Sequence, residues 1–167
     1  ISNKKINLSG SKVRDTVIPN YLKNTAGEIT SDIFDVYPHI QLVADFNNDN
    51  IDDLFIDYNS TLVPPLILFG QKSGKFKILD LGKSNSDVAR KTIRKAVSAD
   101  FNNDGYLDII GFTTGDHYKE EGLSEKDLLL LNLSGKGFKT VDIAEPRKNS
   151  PNHGGFIIDA NKDGFFD

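Results

Sequence analysis

Three short segments hold the residue types that could do chemistry: DFNNDNIDD at 45–53, DFNNDGYLD at 100–108 and DANKDGFFD at 159–167. All fit D-x-N-x-D-[G/N]-x-x-D, and their starts lie 55 and then 59 residues apart. Ordinary residue frequencies would give this pattern on the order of once per 10⁶ positions, so three copies at near-constant spacing are a repeat.

The donors are carboxylate and amide oxygens, the hard ligands that calcium takes about six to eight at a time at roughly 2.3–2.6 Å. Alternating side chains on a tightly curled nine-residue loop place positions 1, 3, 5 and 9 inward, and the carbonyl of position 7 joins them. The first site then takes Asp45, Asn47, Asp49 and Asp53, with Ile51 through its backbone. The second takes Asp100, Asn102, Asp104 and Asp108, with Tyr106 through its backbone. The third takes Asp159, Asn161, Asp163 and Asp167, with Phe165 through its backbone.

Position 6 must turn sharply at positive φ. Gly105 and Gly164 do so at no steric cost, and Asn50 is the best non-glycine substitute, which makes the first loop the strained one. An EF-hand would need a bidentate Glu at position 12 and helices on both sides. Position 12 is Ile56 in the first loop and Gly111 in the second, between β-branched and aromatic flanks, so EF-hands are excluded.

Charge fits the same reading. The chain has 20 basic and 24 acidic residues, a formal net of −4, and nine of the acids fall at the repeated positions 1, 5 and 9 of the three loops. Three carboxylates crowded into each metal-free loop repel one another. Three calcium ions would carry the net from −4 to +2. Chelation is therefore expected to loosen the loops and lower the melting temperature. Without a bidentate Glu the affinity is expected near roughly 10⁻⁴–10⁻³ M, as in extracellular modules, which places the protein outside the cytoplasm.

The elements that position the loops follow from the apolar runs. Four strands are predicted in the first repeat, at Ile40–Ala44, Leu54–Tyr58, Leu66–Gly70 and Phe76–Leu81. Four more are predicted in the second, at Ala96–Ala99, Ile109–Thr113, Leu128–Asn132 and Phe138–Ile143, and one in the third, Gly155–Ile158. Each Asp-rich loop joins the first two strands of its unit, and Lys-Ser-Gly-Lys and Ser-Gly-Lys-Gly turns join the last two. Phe76 and Phe138 correspond at an offset of 62 instead of 55, so seven extra residues are expected in the polar stretch 113–127, a surface insertion.

Repeats of this length and strand count fit propeller blades. The three Asp/Asn loops and the Asn-x-x-Gly-x-Gly-Phe turn at 132–138 resemble the FG-GAP repeats of integrin-alpha-type β-propellers, and more closely their bacterial VCBS-type relatives. The resemblance covers about residues 40–167. It implies an all-β fold: two full blades at 40–95 and 96–154, and the start of a third at 155–167, from a seven- or eight-bladed propeller. Residues 1–39 carry no such motif and are expected to form an N-terminal extension or strands that complete a blade.

By the same resemblance the protein is expected to be a secreted or cell-surface scaffold for adhesion or recognition of a protein or glycan ligand. Calcium would hold its blade loops rigid. The alternatives are part of the propeller of a secreted polysaccharide-degrading enzyme, or a subunit of a surface filament. Because Asp167 is both the last residue and the ninth position of a loop, further blades are expected from a continuing chain or from neighbouring protomers. The start at Ile1, with no charged-then-apolar leader, reads as a processed or excised piece.

The remaining signals are weaker. His117, with Asp116, Glu120 and Glu121 nearby, reads as part of an exposed loop, and His153, before Gly154-Gly155, as a turn-positioning residue. The basic stretch 83–95 has no interleaved aromatics and reads as a solvated loop between blades, not a nucleic-acid surface. Cysteine is absent, which excludes disulfides, thiolate metal sites and cysteine nucleophiles. No run approaches the roughly 18 apolar residues of a membrane span. No nucleotide-binding, hydrolase or zinc-protease motif occurs, so this segment has no visible catalytic apparatus.

Overall fold

The computed structural model describes residues 38–58, 64–84, 88, 92–113, 126–143, 154–164 and 166. All belong to one unit, Val36–Asp167. The architecture is all-β. Strands β1 (His39–Ala44), β2 (Asp53–Asp57), β3 (Leu66–Gly70) and β4 (Phe76–Asp80) form one sheet, and β5 (Ile93–Ala99), β6 (Asp108–Thr113), β7 (Leu128–Asn132) and β8 (Phe138–Asp142) form a second. Both are antiparallel meanders in chain order. All eight strands of the first two repeats thus occur where apolar runs and turn residues predict them, with only the start of β5 displaced by more than one residue.

The central strands explain why those runs are so apolar. Every residue of β2 (DLFID) and β3 (LILFG) is buried, so side chains are covered on both faces of the sheet. Successive side chains alternate faces. Phe55, Ile67 and Phe69 point into a core shared with Ile109, Leu128 and Leu130 of the second sheet. Leu54, Ile56, Leu66 and Leu68, which pair with one another across β2 and β3, are buried on the opposite face.

The edge strands are half exposed: β1 and β4 hold Val43 and Ile78 at 56% and 42% exposure. A bulge interrupts each first strand, at Gln41 in β1 and Arg94 in β5. The two bulges meet, Gln41 Nε2 donating to the Arg94 carbonyl at 3.4 Å.

Three expectations need correction. Strand β5 begins at Ile93, not Ala96, and takes the end of the basic stretch 83–95 into the second repeat. The reason is burial: Ile93 is fully buried, and Val88, from the middle of that stretch, joins the same core. Its start also folds into a short helical turn, α1 (Leu81–Ser84). In the third repeat, Gly155–Ile158 is extended but has no strand partner among the described residues.

Residues 1–37, the insertion over 114–125, and His117 and His153 lie outside the described residues. Among the described residues, no helix is long and apolar enough to cross a membrane.

Candidate metal-binding loops

The two complete loops join β1 to β2 and β5 to β6, at the same end of each sheet as the β3–β4 and β7–β8 turns. Each curls around its first side chain. In the first loop, Asp45 Oδ1 accepts the Asp49 N–H at 3.1 Å and Oδ2 accepts the Asn50 N–H at 2.7 Å. Asn47 Oδ1 shares the Asp49 N–H at 3.1 Å, and Asp49 Oδ1 accepts the Ile51 N–H at 2.9 Å. Asn47 Nδ2 donates to Asp49 Oδ2 at 3.2 Å, tying positions 3 and 5.

The same network recurs bond for bond in the second loop. Asp100 accepts the Asp104 and Gly105 N–H groups at 3.0 and 2.8 Å, and Asp104 accepts the Tyr106 N–H at 2.9 Å. Asn102 accepts the Asp104 N–H at 3.0 Å and donates to Asp104 Oδ2 at 3.1 Å. In the third loop, Asp159 accepts the Asp163 and Gly164 N–H groups at 3.1 and 2.9 Å. Asn161 bridges to Asp163 there at 3.0 and 2.9 Å. Phe165 and Asp167 lie outside the described residues.

The backbone bears out the turn at position 6, where Asn50, Gly105 and Gly164 have φ of 64°, 88° and 91°. Position 4 is also left-handed, at Asn48 (59°), Asn103 (56°) and Lys162 (62°). That second reversal was missed, although asparagine at 48 and 103 is the residue that tolerates it best. Lysine at 162 tolerates it less well, so the third loop carries a strain at position 4, as the first carries one at position 6 through Asn50.

Position 9 is placed differently from positions 1, 3 and 5. Asp53 is fully buried, with Oδ2 accepting the Phe46 N–H and Oδ1 the Gly70 N–H, both at 2.8 Å. Asp108 repeats this with Phe101 N at 3.0 Å and Asn132 N at 2.7 Å. The ninth aspartate thus fastens the start of its loop to the end of the third strand.

Burial, above all, pushes both carboxyls above their ordinary value. The backbone N–H groups pull them back, and repulsion pushes again, from Asp45 and Asp49 on Asp53 and from Asp104 and Asp100 on Asp108. The loop charges therefore reach the ninth position even though its oxygens face the backbone.

Among the described residues, no three acidic or histidine side chains stand together as a ready metal cluster. The loop carboxylates are turned onto their own N–H groups. Each such oxygen still has a second lone pair for a cation, and the donor set of carboxylates and an amide is the one calcium takes. Ile51 and Tyr106, the seventh-position residues, are half-buried at the loop exit.

Loops of neighbouring repeats touch. Asn48 Nδ2 donates to the Gly105 carbonyl at 2.9 Å, linking the two loop tips. The β7–β8 turn, with Ser134 and Gly135 both left-handed at φ 53° and 73°, lies on the first loop. A Cβ on Gly135 would stand 2.8 Å from Asn47 Cα. Phe46 meets Phe138 edge-on, with ring centroids 6.0 Å apart. Phe101, its counterpart in the second loop, meets Phe166 of the third at 6.4 Å. No family model, curated protein or solved structure matches the chain.

Proposed function

We propose that the chain is a calcium-binding stretch of β-propeller, two blades and the start of a third, in a secreted or cell-surface scaffold for adhesion or ligand recognition. One observation carries the calcium reading: three loops, 55 and 59 residues apart, repeat one hydrogen-bond network around hard oxygen donors only. A solvated turn needs neither the repeated carboxylates nor their mutual repulsion.

The propeller reading is supported by two four-stranded meanders of the same order that share one core and meet edge to edge at their first strands. The likeness to FG-GAP and VCBS-type repeats extends it to a cell-surface role. In this reading Asp45, Asn47 and Asp49, with their equivalents, hold the ion, and Asp53 and Asp108 keep the loops seated on the sheets.

Calorimetric calcium titration tests the metal sites. Asp45→Ala and Asp100→Ala are each expected to remove one binding event while the other persists. A wild-type protein that takes up no calcium at 10 mM, about tenfold above the weakest affinity expected for such modules, would refute the reading.

A further inference from the structure

Between the first loop and the two hairpin turns lies a groove of about 320 Å³. This is within the range of roughly 300–1,000 Å³ typical of small-molecule sites. Its floor is apolar, from Ile51 and Phe69, and its rim carries Lys72, Lys77 and Lys136 against one acid, Asp49. Lys77 stands opposite Phe69 in the β3–β4 register, so its stem rises beside the floor. Lys72 and Lys77 belong to the first repeat and Lys136 to the second, so the site exists only where two repeats meet.

All three lysines are exposed, and among the described residues none has an ion-pair partner. In a chain of net charge −4, three unpaired ammonium groups around one groove are a local reversal of sign. An apolar floor under a donor-only cationic rim suits a compact ligand with a hydrocarbon face and an oxyanion.

We propose that this groove binds the carboxylate or sulfate of an acidic sugar residue, with the sugar ring over Ile51 and Phe69 and the oxyanion among the three lysines. The inference gives the recognition part of the proposed function a ligand class and rests on that part; because the groove shares Asn47, Asp49 and Ile51 with the first calcium loop, calcium is held constant in its test.

The test is binding of uronate and sulfated oligosaccharides to the full chain at one fixed calcium concentration. Inorganic sulfate and an uncharged oligosaccharide of equal length serve as comparison probes. Saturable binding of an acidic oligosaccharide is expected, weakened by added salt and tighter than that of inorganic sulfate. Which of the two sugars binds tells carboxylate from sulfate.

Lys77→Gln and Lys136→Gln should each weaken binding about tenfold, the scale of a lost charge-assisted hydrogen bond. Lys75→Gln and Lys139→Gln, exposed lysines of the same strands and turns outside the groove, should leave it unchanged. Equal losses in both pairs would mean diffuse attraction and overturn the assignment. Equal binding of the uncharged sugar, or no saturable binding of either acidic one, would also overturn it. If the protein still takes up calcium in that case, the scaffold reading stands and only the groove is lost.

Discussion

Asn132 Nδ2 donates to the Phe46 carbonyl at 2.8 Å, joining residues 86 positions apart and fastening the second repeat's hairpin to the first repeat's aspartate loop. The same amide donates to Leu107 O at 2.9 Å, and its Oδ1 accepts the Gly135 N–H at 2.8 Å. One buried side chain therefore joins both loops and a turn. In the first repeat the equivalent position is Gly70, where a Cβ would collide with the Asp52 carbonyl oxygen.

Asn132→Ala strands two carbonyls and an N–H in a buried site. It should cost about 2–4 kcal/mol, measured by denaturant unfolding. A loss under about 0.5 kcal/mol, the scale of an ordinary surface substitution, would mean that this residue does not clamp the repeats together.

Two glycines with similar φ separate strain from contact. Gly135 (73°) faces Asn47, whereas Gly74 (76°) faces open space. Gly74→Ala should cost about 1 kcal/mol, the left-handed penalty alone. Gly135→Ala should cost clearly more, because the first loop must move away from the turn. Equal losses would contradict the packing of turn on loop.

The left-handed positions filled by other residues offer gains. Asn50→Gly and Lys162→Gly should each be neutral to stabilising, by up to about 1 kcal/mol, with the larger gain at Lys162. Thermal melts of the single variants would decide this, and a clear loss at Lys162 would argue against its left-handed φ.

Acid should favour the metal-free fold at the ninth positions. Asp53 and Asp108 have folded-state pKa values raised above the ordinary 3.8, first by burial. Their contribution is fully present below the unfolded value and is lost as pH rises through the raised folded value. In chelator, the melting temperature of the wild type relative to Asp53→Asn should therefore fall as pH rises from about 4 toward neutrality. Calcium favours the ionised loop and should flatten or reverse that slope. A metal-free difference that grows with pH would contradict the sign.

Much of this was legible in the sequence because each element had a local signal. Apolar runs of four or five residues, closed by Gly-containing turns, gave all eight strands, and the loop repeat gave position 6. What was not legible depends on distant partners. Nothing local says that Ile93, within a basic stretch, is fully buried, since its cover comes from across the sheet. That Asp53 and Asp108 fasten loop to strand also depends on contacts with Gly70 and Asn132, 17 and 24 residues on. A polar residue closing the run Leu-Leu-Leu-Leu-Asn at 128–132 was the available hint for the clamp.

The most direct test of the calcium account is the thermal melt of the whole chain in excess chelator and in 10 mM free calcium. With affinities of roughly 10⁻⁴–10⁻³ M, each occupied loop should add about 1.4–2.7 kcal/mol, so the melt should rise by several degrees. Magnesium, which prefers a stricter octahedral shell, should do less. A melting temperature identical in chelator and calcium would contradict calcium binding by these loops.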